Sequence, residues 1–219
     1  MSDPRLTSLV ELATENAPEK RRSLCIELCD LLLDWPSTYP AQMREPFETL
    51  LEKTVRLIDR DTRSQLIARI AVAPGASLDL LNEFFFDATA DLRGAILERN
   101  AEAPPADARV PVDETALIVS ARGNPRDSFG ELLAQALDLP PDIAARILHD
   151  GSGEALAIAI KGAHLSRAAY STLAMLSGGA LGPEETLARL AVYESVPERG
   201  AESLLNFWRG RNAKHALAA

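Results

Sequence analysis

From Pro140 to Gly162 the chain reads PPDIAARILHDGSGEALAIAIKG. Ile143, Ile147 and Leu148 recur at helical spacing, so the first half predicts a helix with one apolar stripe. Pro140 and Pro141 suit its opening, where a missing N–H is harmless and φ is preset. Asp142 places a negative charge against the helix dipole in the first turn. Asp150-Gly151-Ser152-Gly153 then breaks the helix, since glycine supplies the backbone angles of a sharp turn. Ser152 can cap the next helix, with Glu154 in its first turn. That second helix, ALAIAIK, is apolar on most sides and predicts an inner helix. The unit reads as an αα-hairpin.

Sliding the chain against itself by 63 positions lays Arg63–Ala101 over Arg126–His164 without a gap. Arg63 falls on Arg126, Ala71 on Ala134, Asp79 on Asp142 and Asp87 on Asp150. Apolar positions coincide as well: Leu66 with Phe129, Ile70 with Leu133, Leu80 with Ile143 and Phe84 with Ile147. Thr89 and Asp91 fall on Ser152 and Glu154. Matching turn chemistry at one phase predicts a helical repeat whose hairpins bury their apolar faces against one another.

The rest of the pattern is also helical. A short amphipathic helix is expected from Asp3 to Asn16, with Leu6, Leu9, Val10 and Ala13 on one face. Pro18–Trp35 follows, and in LCIELCDLLLDW the polar positions Glu27, Asp30 and Asp34 form one narrow stripe. Such a helix is either central to the fold or shared with another molecule, and periodicity does not separate the two. Phe47, Leu50, Leu51, Thr54, Val55 and Ile58 mark the next helix, with Glu52 and Arg56 able to pair. Asp61 or Thr62 is expected to cap the one after it. Ser77 opens a helix over Leu80–Phe86, and Thr89 opens another. Ala101–Pro111 (AEAPPADARVP) has the composition of a linker. Beyond it, helices are predicted at about 113–122 and 126–138, then the central hairpin. Further helices are predicted from Leu165 to about Leu176, from Gly182-Pro183 onward, and from Pro197 to about Asn212. No segment reads as a strand.

The expected architecture is therefore all-α: a HEAT-like helical repeat of stacked antiparallel αα-hairpins with an N-terminal helical cap. Residues 1–100 form the cap and first repeat, 101–111 the linker, 112–212 the C-terminal repeats and 213–219 a tail, in one continuous array. Abundant Ala and Leu with few aromatics agree with close-packed helices. A formal charge of −9 and a pI near 4.9 disfavour nonspecific contact with nucleic acid or anionic membranes. No apolar run approaches the ~20 residues that span a bilayer, and the polar start has no secretory core, so the cytoplasm is the expected location. Cys25 and Cys29 sit one helical turn apart in an apolar run and are expected to be reduced core residues.

The run RSQLIARIAVAPGASLDLLNEFFFDATADLRGAILERNAEAP resembles the core of the domain of unknown function 2336 family, as does LPPDIAARILHDGSGEALAIAIKGAHLSRAAYSTLAML. The D-x-S/G-G-E-x-L-A pattern and a terminal Trp-Arg, here Trp208-Arg209, carry the likeness. It extends over roughly residues 20 to 210. The family is one of uncharacterised proteins, mainly alphaproteobacterial. The resemblance implies a HEAT-like arrangement of antiparallel helices and supplies no activity and no catalytic residues.

Candidate chemistry is sparse. His149-Asp150, ahead of Glu154, resembles the phospho-accepting box of histidine kinases, which needs an exposed imidazole with its tautomer held. His149 falls on Phe86 in the self-alignment, and a glycine turn follows, so a partly buried or helix-terminal histidine is the expected reading. His164 is expected as a surface loop residue. Gly178-Gly179-Ala180-Leu181-Gly182 lacks the lysine and strand of a phosphate loop. Phe84-Phe85-Phe86 would span about 200° of a helix, so it is either sandwiched between neighbours or leaves one ring for a partner. Lys20-Arg21-Arg22 and the Arg209, Arg211, Lys214 cluster read as solvated helix ends rather than a nucleic-acid surface.

No catalytic residue, cofactor or metal site is expected, and no enzymatic activity. The expected function is a non-catalytic, regulatory protein–protein interaction module. Phe84, Phe85, Phe86, Trp35 and Trp208 are the candidate contacts, ringed by acidic residues that favour a basic or amphipathic partner. A homodimer through the Leu24–Trp35 helix is compatible with this. The alternatives are a signalling protein with His149 as phospho-acceptor, and a nucleic-acid-binding helical repeat.

Overall fold

A computed structural model describes residues 4–14, 17–73, 76–104, 111–123, 128–177 and 182–218. Among these there are thirteen α-helices, two short 3-10 turns and no strand, so the chain is all-α. The helices are α1 (Pro4–Thr14), α2 (Pro18–Leu33), α3 (Arg44–Val55), α4 (Arg60–Val72), α5 (Leu78–Glu83), α6 (Ala90–Ala101) and α7 (Glu114–Gly123). They continue with α8 (Phe129–Leu137), α9 (Pro141–His149), α10 (Glu154–Gly162), α11 (Arg167–Ser177), α12 (Pro183–Ser195) and α13 (Glu198–Ala218). The chain divides within α6 into two compact units, Met1–Ile96 and Leu97–Ala219. The proline-rich 101–111 segment lies in the second unit, and its residues 105–110 are outside those described.

In the first unit α2 is the central element. Leu24, Cys25, Leu28, Cys29, Leu31 and Leu32 are all buried, and α1, α3 and α4 pack around them. The apolar sides that could have served a homodimer through Leu24–Trp35 are thus covered from within the unit. Burial pushes the thiol of Cys25 up to about 12 and that of Cys29 to about 11, and both are free thiols buried in the core. Arg69 of α4 ion-pairs with Asp30 of α2. Arg56 reaches both Glu52, as its i,i+4 spacing predicts, and Glu83.

The cap of α4 differs from expectation. Asp59 accepts from the Thr62 N–H (2.8 Å), so the helix starts one residue before Asp61. Thr62 is itself 4% exposed and sits inside the first turn, which rules it out as the cap. Arg63 then ties the corner together: it donates to the carbonyls of Arg56 and Ile58 (both 3.1 Å) and pairs with Asp87 (3.2 Å).

The 63-residue correspondence extends to structure. α5 and α6 fall on α9 and α10, and α4 overlaps α8 in register. Leu66, Ile70, Leu80 and Phe84 are buried, as are Phe129, Leu133, Ile143 and Ile147 at the matching positions. These four matched apolar pairs are thus buried at both ends of the correspondence.

In the second unit α10 is enclosed. Ala155 to Ile160 are fully buried without interruption, and α9, α11, α12 and α13 pack against this helix. Its small residues set how closely the neighbours approach: a Cβ on Gly162 would lie 2.5 Å from the Ala201 carbonyl oxygen of α13. α13 runs on to Ala218, beyond Asn212 where the sequence pattern fades, and buries Ala201, Leu204, Leu205 and Trp208. Lys161 bonds the Tyr193 and Val196 carbonyls (2.9 and 2.7 Å) and closes the C-terminal end of α12. Arg209 does the same for α8 through the Leu137 carbonyl (2.8 Å), next to Asp138 in the left-handed conformation.

Two glycines in helices should respond oppositely to alanine. Gly162→Ala forces a methyl against backbone and is expected to cost about 2 kcal/mol. A methyl on Gly94 would meet nothing within 4 Å, so Gly94→Ala should be neutral or stabilising by up to about 1 kcal/mol. Denaturant unfolding of the two variants checks the contrast.

Candidate functional site

The turn between α9 and α10 concentrates polar chemistry. Pro141 sets the first turn of α9 and Asp142 follows it, so the helix begins as its sequence dictates. It ends at His149, whose exposed imidazole is hydrogen-bonded through Nδ1 to the Ala145 carbonyl (2.7 Å). His149 is therefore helix-terminal and not buried. Because a carbonyl only accepts, Nδ1 is the donor of this bond, and Nε2 is the ring nitrogen it leaves unused.

Asp150 and Ser152 cap α10 together. Asp150 Oδ2 accepts from the Ser152 hydroxyl (2.8 Å) and the Ala155 N–H (2.9 Å), while Ser152 Oγ accepts from the Glu154 N–H (3.1 Å). Sequence reasoning found Ser152 and missed the share taken by Asp150. Gly153 occupies the left-handed region (φ 76°), which a side chain would strain. It also has no room for one: a Cβ would lie 2.7 Å from Arg189 Cγ, 2.9 Å from Arg189 Nε and 3.1 Å from the Tyr170 hydroxyl.

Arg189 of α12 thus lies across the start of α10. It is 8% exposed, and its Nε has no hydrogen-bond partner among the described residues. Its Nη2 stands 3.5 Å from Ser177 Oγ at the end of α11. Tyr170 is fully buried, stacks on Tyr193 with centroids 5.3 Å apart, and donates its hydroxyl to the Arg189 carbonyl (2.6 Å). No motif announced Arg189, because its neighbours come from α10 and α11, far away in sequence.

The aromatic candidates separate by burial. Phe84 (2%) and Phe85 (0%) are core residues. α5 stops at Glu83 and a 3-10 turn carries Phe85–Asp87, which widens the angle between successive rings and lets them reach different neighbours. Arg93 covers the Phe85 ring (5.0 Å) and donates to the Phe85 carbonyl (3.2 Å). Phe86 is half-buried, edge-on to Phe85. Trp208, at 1% exposure, packs inside the second unit. Phe84, Phe85 and Trp208 are consequently removed as partner contacts.

Trp35 is different. It is half-buried on the connection after α2, edge-on to Tyr39 (5.6 Å) and tilted against Phe47 (5.9 Å). Arg44 lies over its ring (5.9 Å) and is held by Glu48 (2.9 Å) and the Leu32 carbonyl (3.0 Å). The indole N–H of Trp35 has no partner among the described residues. Asp34, Met43 and Glu45 beside it are exposed.

Two further features lie away from these places. His164 follows α10 with φ 57° and sits between Glu198 (3.3 Å) and Glu202 (3.5 Å) of α13, acidic neighbours that its spacing in sequence did not suggest. An open cleft of about 210 Å³ between α7 and α8 is lined by Val112, Ala116, Leu117, Leu132 and Ala136 with Gln135 at its side. Among the described residues no His, Cys, Asp and Glu cluster could hold a metal, and no helix is long and apolar enough to cross a membrane.

A family model for uncharacterised proteins conserved in bacteria, domain of unknown function 2336, matches residues 42–206. The chain belongs to this family. Neither a comparison with curated proteins nor one with solved structures finds a match. The domain of unknown function 2336 match takes in the α9–α10 turn, Tyr170 and Arg189. It begins after Trp35 and ends before Trp208-Arg209, so it is shorter than the stretch over which the sequence resemblance was drawn.

Burial pushes the Tyr170 hydroxyl up to about 12. The folded chain therefore holds this proton more tightly than the unfolded chain, whose tyrosines ionise near 10. Its contribution to stability is complete below pH 10 and is lost as the pH climbs towards 12. Tyr170→Phe should flatten this alkaline loss, which stability measurements across that range would reveal.

Proposed function

We propose that this chain is a non-catalytic adaptor, a HEAT-like helical array with an N-terminal cap, that binds another protein through the Trp35 surface. The observation that supports this is the half-exposed Trp35–Tyr39–Phe47 cluster with Arg44 laid over it. Trp, Tyr and Arg are the residues that dominate binding energy at protein interfaces, and here Arg44 is pre-positioned by bonds to Glu48 and the Leu32 carbonyl. Exposed Asp34 and Glu45 select a basic or amphipathic segment as the partner. Affinity capture from a native bacterial extract tests the reading with wild type, Trp35→Ala and Phe86→Ala. A partner held through this surface should bind Trp35→Ala weaker by about 2 kcal/mol, roughly 30-fold. Equal capture by wild type and Trp35→Ala removes the reading.

A second reading rests on His149. Its ring is exposed and its Nδ1 is held by the Ala145 carbonyl, an arrangement that favours attack by Nε2 on a phosphoryl group carried by a partner kinase. Incubation with native extract and labelled nucleoside triphosphate should then give an acid-labile, alkali-stable phosphoryl group that is absent from His149→Ala. Labelling that survives in that variant, or no labelling of wild type, rejects it.

A further inference from the structure

The closing turn of α10 puts a side chain where the backbone favours glycine. The Leu165 N–H reaches back to the Ile160 carbonyl (3.0 Å) and the His164 N–H to the Lys161 carbonyl (2.9 Å), so the turn satisfies the last carbonyls of the helix. This closure sets residue 164 at φ 57°, a conformation glycine adopts without steric cost. The residue there is a histidine, and its ring reaches α13.

The ring lies between two carboxylates of that helix. Nδ1 is 3.3 Å from Glu198 Oε1, and Nε2 is 3.5 Å from Glu202 Oε1. A neutral imidazole has one N–H and one lone pair, while an ionised carboxylate only accepts. Whichever tautomer forms, one nitrogen sets its lone pair against a negative oxygen. The imidazolium has an N–H on each side and suits both. Glu198 and Glu202 are also four residues apart on one helix, where like charges repel, and a cation between them relieves that repulsion. The partial negative charge at the end of α10 acts in the same direction.

The other charged groups of this corner are committed. Lys161, on α10 itself, donates to the Tyr193 and Val196 carbonyls. From α12, Glu194 pairs with Arg167 of α11 (3.1 Å), and Tyr193 donates its hydroxyl to the Leu165 carbonyl (2.8 Å). Burial, then Glu194, Glu198 and Glu114, push that hydroxyl up, so it keeps its proton where histidines titrate. Glu114 of α7 accepts from the Ser166 N–H and hydroxyl (2.8 and 2.6 Å). Arg199 of α13 is exposed and follows Glu198 in sequence. Among these groups the imidazole is the one of a type that changes charge between about pH 5 and 8.

We propose that His164 is a proton-operated latch between α10 and α13. The protonated ring bridges Glu198 and Glu202 and seats α13 on the end of α10; loss of the proton loosens that seat. The stabilisation is present below about pH 6.5, the ordinary histidine value, and is lost as the pH rises above it. The helix it holds carries Trp208 into the core and closes α8 through Arg209. The latch lies within the second unit and stands or falls separately from the Trp35 reading.

The test melts the full chain at about pH 5.5 and about pH 8, at one ionic strength. His164→Asn keeps a residue that tolerates the left-handed backbone and does not titrate. On passing from the higher to the lower pH, wild type should gain roughly 3 °C relative to this variant. Glu202→Gln should remove most of the gain and Glu198→Gln less, because the Glu202 side chain is 16% exposed against 67% for Glu198. His149→Asn, a change at an exposed histidine on α9, should leave the gain intact. Hydrogen exchange locates the effect without relying on a variant: amide protection from Ala201 to Leu205 in wild type should be higher at the lower pH. Equal pH responses of wild type and His164→Asn, or a gain that survives in the Glu198→Gln/Glu202→Gln double variant, overturn the proposal.

Discussion

The close approach of α10 to α13 at Gly162 governs the second unit. A helix whose residue meets a neighbouring carbonyl at 2.5 Å from a hypothetical Cβ cannot rotate or slide without collision. With α9, α11 and α12 on its remaining sides, α10 has no face left for solvent, and its run of Ala and Ile follows from that. An enclosed helix can offer chemistry only at its ends. The polar groups are found there: Asp150, Ser152 and Arg189 at the start, Lys161 and His164 with Glu198 and Glu202 at the finish.

How much of this was legible in the sequence depends on the range of the interaction. Pro141, Asp142 and Ser152 act within one turn of themselves, so the α9–α10 hairpin could be drawn from its letters. The inner character of α10 was equally plain, because residues apolar on every side have no other place to go. The 63-residue correspondence was visible in the letters, and the four apolar pairs it matches are buried. Phe85 and Trp208 were not legible as core residues. Apolarity alone is the same for a ring under neighbours and a ring facing a partner, and only the tertiary arrangement separates them. The α2 helix posed the same question, and α1, α3 and α4 answer it.

The cations show a second limit of sequence reading. Arg63, Lys161 and Arg209 all spend N–H donors on backbone carbonyls, closing corners or helix ends where acceptors would otherwise be unmet. They lie 5 to 72 residues from their carbonyl partners, a separation that local sequence pattern does not reveal. Such long-range capping explains why a charged residue can be structural in a chain that otherwise keeps its charges in water. Arg209 also gives the Trp208-Arg209 pair a physical role: the indole is buried in the unit while the neighbouring guanidinium closes α8.

Arg189 lies over a turn whose letters differ from those 63 positions earlier. At the matching turn the first unit reads Phe86-Asp87-Ala88-Thr89-Ala90, and the second reads His149-Asp150-Gly151-Ser152-Gly153. Asp87 pairs with Arg63, and Asp150 caps α10 with Ser152. Ala90 has become Gly153, which frees the volume that the Arg189 stem occupies and allows the left-handed backbone beneath it. A turn built only to join two helices needs no glycine here, since the first unit makes the same connection with alanine. Gly153 is therefore a packing requirement of the second unit: a side chain there would displace Arg189, whose carbonyl accepts the Tyr170 hydroxyl.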